Sequence, residues 1–299
     1  MGDKMSLKLK IVILIFRAVP LAVRRAVFSG LAGLAYHLSL KHRLIALYNL
    51  ISSFPKKPID EIVDIARVSY KNFALIFAEF PEILCLDRNN IGKWVSVRGL
   101  EHYESALREG RGVVLITAHF GNWEMGLAAM ALLSRPPTFV ARTLDSAILE
   151  EGSIYIRSTV GIGIIHKENA MRPMLRLLKQ GEAVKMLIDQ NVAAYEGVFI
   201  NFFGRPACTT PGVALMAMRS GAAVLPVFTS RMPDGTYLTE IGPKVETVHT
   251  GDRRRDVATN TQNYATIIEN HIRKYPEQWL WIHQRWKTKT SQARIVTGG

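Results

Sequence analysis

The segment HFGNWE at residues 119–124 places an imidazole five positions before a carboxylate. Those two side-chain types are the usual base and orienting acid of proton-transfer chemistry. His119 follows VVLITA (residues 113–118), a β-branched run that reads as a strand. On one continuous helix, residues five apart lie about 140° around the axis, so His119 and Glu124 would not face each other. The pair makes sense if Gly121 turns the chain, with His119 in a strand-exit loop and Glu124 in the first helical turn. A carboxylate there would orient the imidazole and stabilise its protonated form. No Ser or Cys nucleophile lies nearby, which points to direct attack by a substrate hydroxyl.

The elements that must position these groups alternate in type. Helix 100–109, stopping at Gly110, leads into strand 113–118, and a helix begins after Trp123. TFVA (138–141) is a strand, 170–180 a helix stopped by Gly181, and AVKMLID (183–189), VFINFF (198–203) and VLPVFTSR (224–231) are strands. Thr210 is suited to cap a helix that has Pro211 at its first position and Gly221 as its stop. YLTEIGP (237–243) would add an edge strand, and residues 256–275 a last helix. This order predicts an α/β fold, a mixed or mostly parallel sheet flanked by helices. Ligands bind beyond the carboxyl ends of strands in such sheets. His119, Arg142, Asp189-Gln190 and Arg205 each follow a predicted strand. Singly they read as a polar loop residue, a surface ion-pair residue, a turn former and a surface cation. Together they read as a site.

Composition adds a surface. Thirty-eight Lys and Arg against twenty-five Asp and Glu give a net charge of +13, which suggests an anionic partner. Residues 1–57 carry ten of these cations and one acid, Asp3, within a strongly apolar stretch. Basic and apolar together point to a membrane surface more than to nucleic acid. Arg17, Pro20, Arg24 and Arg25 interrupt the run, which favours helices lying in the membrane face over a single span. A pair of core helices with a basic outer face is the bland alternative. Helical spacing continues over 59–86 after the break at FPKKP, giving a helical region 1–90 and an α/β domain 91–299. The two cysteines, Cys85 and Cys208, form no CxxC pair and suit a reducing compartment. Motifs for a serine hydrolase, a phosphate-binding P-loop or a zinc protease are absent.

ITAHFGNWE, VARTLD, MLIDQN, FFGRPACTTPG and PEQWLWIHQRWK, in this order, resemble the bacterial lipid A biosynthesis (lauroyl/myristoyl) acyltransferases. HFGNWE itself matches the H-x4-D/E motif of the lysophospholipid acyltransferase superfamily. The resemblance implies a glycerolipid acyltransferase-like fold, with His119 as catalytic base, Glu124 as its partner and Asp189 in a polar block at the site. Arg142 and Arg205 match acceptor- or phosphate-binding blocks, and Asn122, Gln190 and Thr210 complete the expected substrate-binding set. It further implies transfer from acyl carrier protein, or from acyl-CoA, to a lipid A precursor or related glycolipid. The expected place is the cytoplasmic face of a bacterial inner membrane, without cofactor, metal or nucleic acid. A basic module that binds membrane or nucleic acid without catalysis is the rival of a different class. An acidic carrier would dock on a basic cluster, either Arg253–Arg255 or the tail with Arg285, Lys287 and Lys289. Trp279, Trp281 and Trp286 of that tail read as interfacial or core residues.

Overall fold

The computed structural model describes residues 6–290; Asp3, Lys4 and the two ends of the expected helical region and α/β domain lie outside the described residues. Four helices come first: α1 (Leu7–Ala18), α2 (Leu21–Leu38), α3 (Leu40–Ser53) and α4 (Ile59–Glu79). Pro20 separates the first two, and the proline-rich turn at 54–58 separates the last two. The helix expected to reach residue 86 ends at Glu79, where Pro81 forces a 3-10 turn over Phe80–Cys85.

The remaining chain alternates: β1 (Val95–Arg98), α5 (Leu100–Arg108), β2 (Val113–Thr117), α6 (Trp123–Leu133), β3 (Thr138–Ala141), α7 (Ala147–Ser158), β4 (Ile164–His166), α8 (Met171–Lys179) and β5 (Ala183–Leu187). A hairpin of β6 (Val198–Phe202) and β7 (Arg205–Thr209) follows, then α9 (Gly212–Ser220), β8 (Ala223–Arg231), β9 (Tyr237–Ile241) and α10 (Arg253–Lys274). The sheet runs β1-β9-β8-β2-β5-β3-β4, all neighbours parallel except β8 with β9. The α/β fold with a mostly parallel sheet is as expected. β2 is buried at every position, as a central parallel strand covered on both faces must be.

Four details depart from the pattern-based reading. Residues 237–241 form an interior strand between β1 and β8, not an edge. β1 and β4 are the true edges, and at four and three residues they are too short to leave a periodic signal. β7 was hidden by Pro206, which a two-stranded hairpin accommodates because one side of each strand is unpaired. Helix α9 starts at Gly212, one residue late, with Thr210 Oγ1 accepting from the Gly212 N–H at 3.2 Å.

One buried cluster joins Tyr36, Leu50, Ile62 and Ile65 of α2–α4 to Val114, Ile116 and Val184 of the sheet and to Trp279, Trp281 and Trp286. The three tryptophans are therefore core residues. A polar bolt joins the same layers. Glu79, at the end of α4, has no exposed surface; Arg231 of β8 reaches it with two bonds of 2.9 and 2.8 Å. Arg25 of α2 donates at 2.8 Å, and Asn122 and the Tyr237 hydroxyl complete the set. Burial would raise this carboxyl's pKa, but Arg231, Tyr237 and Arg25 more than offset it and hold the group below the usual range.

Among the described residues no helix is long and apolar enough to cross a membrane. Glu79→Ala would leave the Arg231 guanidinium buried without its partner. We expect a loss of about 3–5 kcal/mol in unfolding free energy. Denaturant melts giving a change below about 1 kcal/mol would mean that apolar contacts alone hold α4 to the sheet.

Candidate active site

β2 and β5 lie side by side and parallel, with Thr117 opposite Leu187. Two residues further along each strand stand His119 and Asp189, brought level by that register. The His119 backbone N–H donates to Asp189 Oδ2 at 3.0 Å, and its Nδ1 lies 2.9 Å from Asp189 Oδ1. An ionised carboxylate only accepts, so Nδ1 carries the proton and Nε2 presents its lone pair. The imidazole keeps 23% of its side-chain surface exposed while Asp189 keeps 2%. Trp279 fixes the carboxylate from the other side, Nε1 donating to Oδ2 at 2.7 Å. Burial alone would raise the Asp189 pKa; the adjacent His119, the Trp279 indole and the backbone N–H outweigh it and lower it to about 2.

The loop around His119 is held by the tail. Gly121 N–H donates to the Gln278 carbonyl at 2.8 Å, and Leu280 N–H to the His119 carbonyl at 3.2 Å. Gly121 has φ of 55°, and any Cβ there would overlap the Thr229 carbonyl. The turn expected at Gly121 is present, and glycine is required for both its conformation and its space.

Glu124 does sit in the first turn of α6, but the hydrogen bond expected between it and His119 is not made. Its carboxylate instead faces Arg157 of α7, with bonds of 2.6 and 3.0 Å, and accepts from the Trp123 indole at 3.0 Å. Burial pushes its pKa up, but Arg157 and Lys185 prevail and it is lowered. Lys185, in the middle of β5, is buried beside this pair, and burial, only partly offset by Glu124, pushes its pKa down to about 8. The two side chains therefore serve different partners, His119 held by Asp189 and Glu124 by Arg157.

The other candidates divide. Gln190 lies at the site, its Nε2 3.4 Å from His119 Nε2. Asn122 is a buried structural residue: its side chain caps α6 by accepting from Met125 N–H and donates to Glu79 and the Tyr237 hydroxyl. That leaves it no surface for substrate, which corrects its assignment. Arg142 follows β3 with a largely exposed side chain paired to Asp145. Arg205 opens β7, its guanidinium 4.3 Å from the Trp286 ring and 5.1 Å from that of Tyr48. Thr210 serves the start of α9. Arg285, offered as a docking cation, is buried and spends its donors on the Gln190 and Cys208 carbonyls and on Thr209.

Three residues at or beside the site were missed. Arg157 lay in an unremarkable amphipathic helix; Lys185 carried a usable signal as the one cation of a buried strand; Trp279 was placed only as core or interface. The wall next to the imidazole is aromatic. The Trp123 ring stands 5.3 Å from His119, Phe73 6.4 Å from Trp123, and Phe77 5.2 Å from Phe73, ending at the surface with Phe77 half exposed. Among the described residues no cluster of side chains could hold a metal ion.

The profile of the family described as bacterial lipid A biosynthesis acyltransferase matches residues 7–288. The chain is 29% identical over 247 residues to a lipid A biosynthesis palmitoleoyltransferase of Escherichia coli, covering 82% of this chain and 78% of that one. It is 27% identical to a phosphatidylinositol mannoside acyltransferase of Mycolicibacterium smegmatis, covering 93% and 90%, respectively. A lipid A biosynthesis lauroyltransferase of Escherichia coli is 26% identical, with 87% and 84% covered. With a match that leaves only a few residues at each end, the chain belongs to the bacterial lipid A biosynthesis acyltransferase family and is an O-acyltransferase.

Proposed function

We propose that this enzyme moves a fatty acyl chain from a thioester on an acyl carrier protein to a hydroxyl of a lipid A precursor, with His119 as base and Asp189 as its orienter. The observation that carries the reading is the imidazole itself: Nδ1 is tied to a buried carboxylate, and the ring stays partly exposed beside an aromatic wall with Nε2 next to the Gln190 amide. In the reaction, Nε2 takes the proton of the acceptor hydroxyl as its oxygen attacks the thioester carbonyl. The tetrahedral intermediate collapses with cleavage of the C–S bond, and the imidazolium returns its proton to the departing thiolate. Asp189 stabilises the imidazolium throughout. Gln190 is the amide donor nearest the reacting atoms and is placed to hold the oxyanion.

Trp123, Phe73 and Phe77 supply an apolar track along which the acyl chain lies, from the imidazole outward. Arg205 supports binding of an anionic acceptor, since its Nη1 is buried without a hydrogen-bond partner. Arg142 at the exit of β3 is a second cation for the same role. A related glycolipid in place of lipid A, or coenzyme A as the thiol carrier, is the second reading. It is favoured by the similarity to a phosphatidylinositol mannoside acyltransferase over most of both chains.

The chemistry takes place at the cytoplasmic face of the bacterial inner membrane in this proposal. Support comes from three exposed aliphatic stripes at helical spacing: Leu7, Ile11 and Leu14 on α1; Val23, Val27, Leu31, Leu34 and Leu38 on α2; Leu40, Leu44 and Ile51 on α3. Exposed Lys8, Lys10 and Lys41 accompany them, whereas Arg24 and Arg25 are spent inside on Glu82 and Glu79. Such helices lie in the interface without crossing it.

His119→Ala should cut kcat about 10²–10⁴-fold with the fold retained. Asp189→Asn should approach the same loss, because the amide favours the wrong tautomer and orientation. Glu124→Gln should lower thermal stability more than it lowers turnover per folded molecule. Full activity in folded Asp189→Asn would reject the assignment.

The depressed Asp189 pKa fixes a stability window. Its folded value near 2 lies below the unfolded value of about 3.9, so its contribution is complete above the latter. The contribution is lost as pH falls through the folded value. The stability gap between wild type and Asp189→Asn, measured by denaturant melts, should therefore shrink between about pH 4 and pH 2.

Replacing Leu14 and Leu31 together by Asp should weaken flotation with anionic vesicles by at least about tenfold, since each buried aliphatic side chain contributes ~1.5–3 kcal/mol. Unchanged flotation would remove these stripes from the membrane contact.

A further inference from the structure

A second concave feature lies apart from the imidazole, between α8, α9 and the start of α10, and encloses about 470 Å³. Its floor is aliphatic and soft: Met171 and Leu175 from α8, Leu215 and Met218 from α9. Its rim is basic, with Arg219, His249 and Arg253. Exposed Arg172, Arg176 and Lys179 extend the positive surface along α8, and Arg254 and Arg255 extend it from α10. Among the described residues none of these arginines and lysines has a carboxylate within 4.0 Å. Asp256, which also lines the groove, is committed to Thr250 and the Gly251 N–H.

Asp252 caps α10 and Asp256 lies in its first turn, but the three consecutive arginines between them run against the preference of a helix N-terminus. A helix N-terminus carries partial positive charge and favours acids there. A local choice that works against the element carrying it points to a use elsewhere. The shape then selects the partner. A flat headgroup layer meets the rim but not the floor, and the aliphatic membrane stripes lie on α1–α3 instead. A single-stranded nucleic acid needs aromatic faces to stack on, and the floor has none. A helix with an acidic face and one or two protruding aliphatic side chains satisfies both rim and floor.

We propose that this groove docks an acidic helix of the acyl carrier protein that brings the donor, an inference that rests on the donor assigned above. The placement suits delivery. α8 follows β4 and α9 precedes β8, so both run antiparallel to the central strands and their first turns stand level with the strand exits that carry His119 and Asp189. The end of β7, which leads into α9, is also joined to the site, because Arg285 binds both Thr209 and the Gln190 carbonyl. The thioester arm would pass from the end of the groove at these first turns, over the carboxyl ends of the central strands, to the imidazole.

The test uses the full-length enzyme and the double variant Arg219→Glu/Arg253→Glu, with thermal melts to verify folding. One acyl chain is supplied on acyl carrier protein and, separately, on coenzyme A. Binding of the carrier protein is titrated at low and high salt, and flotation with anionic vesicles is measured in parallel. The expected result is a rise of about tenfold or more in KM for the carrier-borne donor, with kcat and the coenzyme A reaction unchanged. Carrier affinity should fall in parallel, and salt should weaken the wild-type complex. Met218→Asp, placed in the floor without touching the rim arginines, should weaken the carrier complex as well. Equal losses with both donors, or no loss with either, would overturn the surface while leaving the carrier as donor. Loss of vesicle flotation with carrier affinity intact would reassign the groove to lipid. A wild-type enzyme that turns over acyl-CoA but neither binds nor uses the carrier would overturn the donor assignment together with the surface.

Discussion

The structure depends on one carboxylate with no access to water. Glu79 gathers two arginines, a tyrosine hydroxyl and a side-chain amide at the point where α2, α4, β8, β9 and the start of α6 meet. A charge placed there is tolerable only when every oxygen lone pair is used, so all four donors must arrive together. Asn122 is one of them, and the same side chain caps α6. The helix that carries Trp123 and Glu124 is thereby held to the N-terminal helices, and with it the aromatic wall beside His119. Apolar packing could bring these layers into contact, but hydrogen-bond geometry decides their register.

The fold was largely legible because its central strands are short apolar runs and α5, α8 and α9 end at glycines. β3, residues 138–141, was read residue for residue. What escaped were the elements whose existence depends on neighbours rather than on pattern. β1 and β4 gain their identity from pairing with β9 and β3. Whether β9 lies at an edge or inside is a matter of sheet order, which no local periodicity encodes.

The site was legible in its parts and misread in its pairing. His119 and Asp189 were both found at strand exits, but only the adjacency of β2 and β5 makes them neighbours. Glu124 was nearer in sequence and took the role, but Arg157, brought in from α7, takes up its carboxylate. The charges of the tail were misjudged for a related reason. Arg285 looks like a surface cation in sequence, yet backbone carbonyls of the β7 end and the Gln190 loop draw it fully inside. Long-range backbone acceptors leave no trace in the residues around an arginine.

The clamp of the tail on the His119 loop has a consequence for biosynthesis. Trp279 lies ninety residues beyond the aspartate it anchors, and the backbone bonds to the histidine loop come from Gln278 and Leu280, which follow α10 in the chain. A chain emerging from the ribosome exposes His119 and Asp189 long before Trp279, so this pair waits for the tail to be anchored. The anchored pair is thus a property of the finished tertiary structure and not of the sheet alone. An acyltransferase cut short before Gln278 would keep β2 beside β5 and lose every one of these anchors.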